Sequence, residues 1–446
     1  MSPGSRPPET HPALLKQAGP NLGLAPPRAA AMPRRGMFAS LAHRQYRRYW
    51  TGLFLSNIGT WMQSVAQGWL VLRLSDSAFL LGLVGFAGSI PTLLLAPLAG
   101  VAADRFDRRK LLLATQSTQM ACAFTLAAAT AAGLASVAIV AAVAMVNGIA
   151  NALTVPSHQS LFLDLVGREN LTNAIALNSM QFNLSRVVGP MLAGLTIGAF
   201  GEVVCFALNG ISFVAILVPL ASLSPLPASR RRSRSAWIDL RGGLRFARRH
   251  PHIPQLLVIC AVIAVFGTPP VTLAPLFARR LLGVGPEGLG GMLSAVGLGA
   301  VAAALLIAAH ADFTKKGLGV LLAASAFVVS LAGFALSRRY LLSLACLALL
   351  GGAMTSTASL INTLLQMSAP DRLRGRVISL YALAWLGLIP LGNLQAGAVA
   401  QRFGAATALV VGAICIGLTI AIVQAVRPIP LRPEQASVSE QAADEE

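Results

Sequence analysis

Gly100-Val101-Ala102-Ala103-Asp104-Arg105-Phe106-Asp107-Arg108-Arg109-Lys110 is the stretch on which the reading of this 446-residue chain turns. Six of the seven positions from 104 to 110 are charged, yet no Asp, Glu, Lys or Arg occurs from 77 to 103 or from 111 to 163. Each flanking run exceeds the roughly 20 apolar residues that a helix needs to cross the hydrocarbon core. A tight cationic connection between two such runs lies where water meets lipid.

Working outward, the whole chain is 55% hydrophobic and 11% charged, far from the roughly 25% charged of an ordinary soluble domain. Windows of spanning length predict twelve helices, near 51 to 72, 78 to 101, 111 to 132, 135 to 156, 173 to 198, 202 to 223, 254 to 275, 287 to 309, 317 to 337, 340 to 362, 377 to 399 and 405 to 426. The expected fold class is an all-α membrane protein.

Lys and Arg divide unevenly between alternate connections: 28 on the side that holds both termini, 6 on the other, with Arg186 the remaining one of 35. Positive charge is retained on the cytoplasmic side, so both termini are expected there. The same count explains a net charge of +19 without nucleic acid, because the charge is topological. The longest internal connection carries Arg230, Arg231, Arg232, Arg234, Arg241, Arg245, Arg248 and Arg249, and anionic inner-leaflet lipid is the partner it predicts. Cys122, Cys205, Cys260, Cys346 and Cys415 fall within spans without metal-type spacing and read as small core residues. Residues 1 to 36, rich in Pro, Ala and Arg, lack the apolar core of a secretory signal and read as a disordered segment, as do 427 to 446.

Compared with itself at an offset of 203, the chain aligns Gly148 with Gly351, Ile175 with Ile378, Gly189 with Gly392, Gly194 with Gly397 and Gly201 with Gly404. One register held over two spans predicts duplication: six-helix halves at 37 to 223 and 254 to 426, joined by a basic cytoplasmic linker at 224 to 253. Parallel halves of this kind form a substrate site at their interface.

Four stretches then carry a family resemblance: Gly59-Thr60-Trp61-Met62-Gln63 continuing to Gly68-Trp69-Leu70, the loop quoted at the outset, Arg186-Val187-Val188-Gly189-Pro190, and Pro370-Asp371-Arg372-Leu373-Arg374-Gly375-Arg376. From about Phe38 to Val426 the chain resembles the major facilitator superfamily, and more closely its bacterial branch similar to enterobactin exporters, the transmembrane secretion effectors. The resemblance implies a monomeric multi-pass transporter of the bacterial inner membrane. It implies alternating access, export of a siderophore, drug or other amphipathic metabolite, and possible proton antiport. It also implies a cytoplasmic latch between the halves at Gly100, Asp104, Arg105, Arg108 and Arg109. A transporter-like sensor, or a facilitator without active export, is the alternative.

Arg186 is the charged side chain placed near the middle of a span, where insertion scales charge about 2.5 to 3.5 kcal/mol for it. Two roles are open: binding backbone carbonyls beside a Gly189-Pro190 bend, or facing the cavity to attract anionic substrate. Polar stripes at helical spacing supply further cavity candidates: Asn57, Thr60, Trp61, Ser64 and Gln67; Asn147, Asn151, Thr154 and His158; Asn178 and Gln181; and Thr355, Ser359, Asn362 and Gln366, with Tyr381 and Trp385 as an aromatic wall. Pro269-Pro270 should interrupt helix seven. Asp76, Asp164, Glu169, Glu202 and Glu287 map to span ends, so proton coupling rests on the resemblance alone. The scattered histidines, the lack of any nucleophile arrangement and the lack of a P-loop argue against an enzyme, a bound metal, a cofactor or ATP as energy source.

Overall fold

In lipid a backbone must satisfy its own hydrogen bonds, so the uncharged runs are confined to helix. The computed structural model, described for residues 36, 38–223, 236–310, 314–426 and 428–429, is helical throughout, with no strand among the described residues. For residues 96–98, 100, 101, 103–105 and 236–241 it describes the backbone alone.

The first half holds α1 (Arg44–Ser75), α2 (Ala78–Arg105), α3 (Arg108–Ala131), α4 (Val137–Phe200) and α5 (Glu202–Ser222). Ser77, Asp107 and Ser136 cap α2, α3 and α4, their side chains accepting from Leu80, Arg109 and Ile139 amides respectively. At 64 residues α4 is two passages. Gly167, at φ 71°, joins them, a conformation that only glycine adopts without strain. The first arm brings Leu161, Phe162 and Val166 to Tyr46 and Tyr49 at the start of α1, and the second brings Ala174 and Leu177 to the same aromatics. The second arm then ascends beside α1, with Tyr46 Oη donating to Ala174 O at 2.9 Å and Trp50 Nε1 to Leu177 O at 3.1 Å. The sequence windows at 135 to 156 and 173 to 198 are therefore too short. Asp164, Arg168 and Glu169 end the apolar run but not the helical conformation, which continues on either side of Gly167.

The linker is not featureless: α6 (Ala236–Arg249) lies within it, with Ala247 buried in the main core and Gly243 close against Arg376. The helix-seven passage is broken, as Pro269-Pro270 predicts, into α7 (Ile253–Phe266), α8 (Pro269–Thr272), α9 (Ala274–Leu276) and a wide π turn at Phe277–Leu281. There follow α10 (Pro286–Ala309), α11 (Lys316–Leu336) and α12 (Tyr340–Ser368). The next passage is α13 (Asp371–Ala382), a second π turn at Leu383–Gly387 and α14 (Ile389–Phe403), and α15 (Ala405–Val426) ends the described helices. Among the described residues nine helical stretches are long and apolar enough to cross a membrane, one of them the double α4. With α1 and α3, the described residues are consistent with twelve passages.

Two faces result. The ends of the described chain lie at one, here the terminal face, and Asp76, Gly201, Gly283 and Gly404 mark connections at the other, the Asp76 face. At the Asp76 face one apolar core runs unbroken through both halves, from Met62, Val65 and Leu70 to Phe277, Leu289 and Met292. At the terminal face the Tyr46–Phe162 cluster belongs to the first half alone.

Candidate functional site

The halves meet along two glycine crossings. A Cβ on Gly82 of α2 would lie 2.8 Å from the Cα of Gly397 on α14, and one on Gly194 of α4 would lie 3.1 Å from the Cα of Gly290 on α10. Small residues let backbones approach closely where lipid offers no hydrophobic drive to pack helices. Beside the first crossing Gln401 Oε1 accepts from Ala78 N at 2.8 Å, Ser77 Oγ at 3.1 Å and Phe79 N at 3.3 Å, so a side chain of one half helps to cap a helix of the other.

Nearby, Arg280 Nη2 pairs with Asp76 Oδ2 at 2.7 Å and donates to Asp76 O at 2.6 Å, while Arg279 Nη1 donates to Leu72 O at 3.2 Å. The hydrogen bond from Arg280 holds the Asp76 carboxyl below the usual carboxylate range. Deeper in, Ser294 Oγ donates to Val187 O at 2.7 Å. Among the described residues, these hydrogen bonds and this ion pair join the halves from this depth to the Asp76 face.

Below that seal is a cavity of about 280 Å³, walled by Trp61, Gln67, Gly85, Arg186, Thr272 and Pro275 among others from both halves. Among the described lining residues Arg186 is the charged one. Its guanidinium stands 5.9 Å from the Trp61 ring centroid, within cation–π range. It makes no hydrogen bond or ion pair with a described residue, so the carbonyl-binding role raised by the sequence has no partner here. Gly189-Pro190 serves packing: α4 keeps helical dihedrals through it, and a Cβ on Gly189 would fall 2.5 Å from the Cβ of Trp61. The glycine thus sets the distance between the helix bearing Arg186 and the ring beneath it.

Of the candidates read from sequence, Gln67 and Arg186 line this cavity, whereas Asn57, Asn151, Asn178, Thr355 and Tyr381 are not in its wall. Asn57 Nδ2 donates to Gln181 Oε1 at 3.2 Å and Gln181 Nε2 to Asn178 Oδ1 at 3.0 Å, a chain joining α1 to the second arm of α4. Tyr381 Oη donates to Ala358 O at 3.2 Å, and its ring stacks on Trp385. Asn151 is exposed and Thr355 half-buried. The stripe through His158 divides, because that ring is bonded to Tyr49 Oη and faces Gln116 inside the first half. Thr272, whose hydroxyl donates to Asn393 Oδ1 at 2.7 Å, was not singled out by sequence. A lone Asn in the apolar run 377–399 was the available signal.

The loop of the opening is visible in part. Gly100, Asp104 and Arg105 lie on the path of α2 with their side chains outside the described residues. Arg108 Nη1 pairs with Asp164 Oδ2 at 2.5 Å, and Arg109 donates to Leu220 O at 3.0 Å and Ala221 O at 2.6 Å. Of the three expected latch arginines, Arg108 and Arg109 are thus bound within the first half in this conformation, one to α4 and one to the end of α5.

A family model described as transmembrane secretion effector matches residues 35–445. The chain belongs to the transmembrane secretion effectors, a family of major facilitator transporters. It is 24% identical to the staphyloferrin A transporter of Staphylococcus aureus over 395 residues, covering 87% of this chain and 98% of that one. It is 26% identical to the enterobactin exporter EntS of Shigella flexneri over 387 residues, covering 85% and 92%. Among solved structures, nucleoside transporter NupG aligns at a TM-score of 0.70 with 13% identity, covering 85% of this chain and 98% of that one. A bacterial homologue of the lysosomal transporter Spinster, inward-facing and unoccupied, aligns at 0.64 with 14% identity, covering 87% and 96%. This transmembrane secretion effector is a multi-pass membrane transporter, and the proteins it resembles are transporters rather than enzymes.

Proposed function

We propose that this transporter exports a small molecule, of the siderophore, drug or amphipathic metabolite kind, across a bacterial inner membrane by alternating access between two six-helix halves. The observation that carries the proposal is the cavity between halves, sealed toward the Asp76 face by bonds that all cross the interface there. The 28-to-6 distribution of Lys and Arg makes the terminal face cytoplasmic, so the described seal lies on the outer side of the cavity. In the opposite state Gly100, Asp104 and Arg105 close the cytoplasmic face, and Arg108 and Arg109 exchange partners or remain as anchors. The name of one relative, an enterobactin exporter, favours outward transport. Proton antiport, which the resemblance implies, needs a titratable group at the site, and the described lining holds no carboxylate or imidazole.

Comparing metabolites inside and outside a deletion strain tests the reading. One compound should be retained in the cells and restored to the medium by the wild-type gene. Identical profiles, together with bound ligand but no flux in proteoliposomes, would instead support a sensor.

A further inference from the structure

Arg186 lies about 21 Å from the Gly201 end of its helix at 1.5 Å per residue, deep in the membrane region, with its guanidinium open to the cavity. The Trp61 ring lies 5.9 Å from the guanidinium carbon, and no hydrogen bond to a described residue takes the Arg186 N–H groups, which leaves them for a ligand. That planar fork suits a carboxylate or sulfonate, which can accept two parallel hydrogen bonds. One cation and no second charge in the described lining set the ligand's charge at minus one, because a second negative charge would be desolvated without a partner. The remaining wall, with Leu81, Val84, Val271 and Leu293, is apolar and suits an organic body on the same molecule.

The charge has an energetic consequence. No Asp or Glu occurs between the ends of the spans. His158 lies nearer the terminal face than Arg186 and is engaged by Tyr49 and Gln116 away from the cavity. We infer that Arg186 and Trp61 form the seat of an organic monoanion, and that its export is driven by the membrane potential rather than by protons.

Resting on the alternating-access reading above, the cycle balances as follows. The loaded carrier reorients with the Arg186 charge and the cargo charge neutralising each other. The empty carrier returns with Arg186 bare. An interior-negative potential favours that return, because it carries positive charge inward, and each turn exports one negative charge. At equilibrium a potential of 100 mV sustains about a fifty-fold concentration ratio of a monoanion.

The test uses purified full-length protein and 1-naphthalenesulfonate, a permanently charged aromatic monoanion. Wild type should bind it, Arg186→Lys more weakly and Arg186→Gln not at all, while an uncharged naphthalene sulfonamide should bind none of them. In proteoliposomes an inward potassium gradient with valinomycin makes the interior positive and should accumulate the probe toward fifty-fold per 100 mV, with a pH gradient at zero potential giving no accumulation. Absence of binding by wild type, binding retained in Arg186→Gln, or accumulation driven by the pH gradient each overturns the inference. Binding through Arg186 without any flux would leave the anion seat standing and sink the transport reading. Flux that persists in Arg186→Gln would do the reverse.

Discussion

Replacing Gly194 with alanine should push the transporter toward opening at the Asp76 face. The added Cβ would lie 2.6 Å from Pro286 O, 3.0 Å from the Cα of Glu287 and 3.1 Å from the Cα of Gly290. The first of these falls 0.8 Å short of the 3.4 Å at which such contacts become ordinary. All three neighbours are backbone, so no side chain can rotate away and α4 and α10 must part. Overpacking of this kind costs about 1 to 3 kcal/mol. The strain exists only while the helices touch, so it should shift the balance between states about 5- to 150-fold toward the open one. The assay places a cysteine at Ser64, in the cavity wall, in a background lacking the five native cysteines. Its labelling by an impermeant maleimide is then timed from the Asp76 face. Gly194→Ala should label faster by that factor at unchanged yield. Gly52→Ala is the control, because its Cβ would strike Ala215 O at 2.1 Å within one half, and it should lower stability without changing access. Unaltered labelling in Gly194→Ala, or equal acceleration in Gly52→Ala, would refute the crossing as the seal.

The same readout serves three further cases. Gln401→Ala removes the acceptor for three donors at the start of α2, a capping loss of about 0.5 to 2 kcal/mol, and should speed labelling. Gln401→Glu should slow it, since a carboxylate suits a helix N-terminus better than an amide. Asp76 has its carboxyl pKa lowered by Arg280, so its contribution to the seal is present above the ordinary value of 3.8 and lost as pH falls through the lowered one; labelling should quicken in acid below that range, and Asp76→Asn should abolish the acid effect. Arg108→Ala should lower thermal stability without changing access from the Asp76 face, because its partner Asp164 belongs to the same half.

The architecture was readable because lipid imposes a simple rule on composition, and Arg186 stood out because nothing else charged shares its depth. Features that depend on distant partners were not readable. Nothing local distinguishes His158, which turns to Tyr49, from Gln67, which turns to the cavity. Arg108 looks like any loop arginine until α4 brings Asp164 beside it. Gly82 and Gly397 are 315 positions apart, and only the fold says that each is small because of the other. The run Arg168-Glu169 resembled a loop because charge marks the edge of lipid, not the end of a helix.

Gly167 links two membrane passages through a single left-handed residue, which leaves almost no slack to absorb torque. A tilt of the first arm of α4 is delivered directly to the second, which carries Arg186 and Gly194. The cavity wall at Arg186 and the crossing at Gly194 are thereby geared to one lever. A flexible insertion at this joint would leave both arms folded and uncouple the timing of one event from the other.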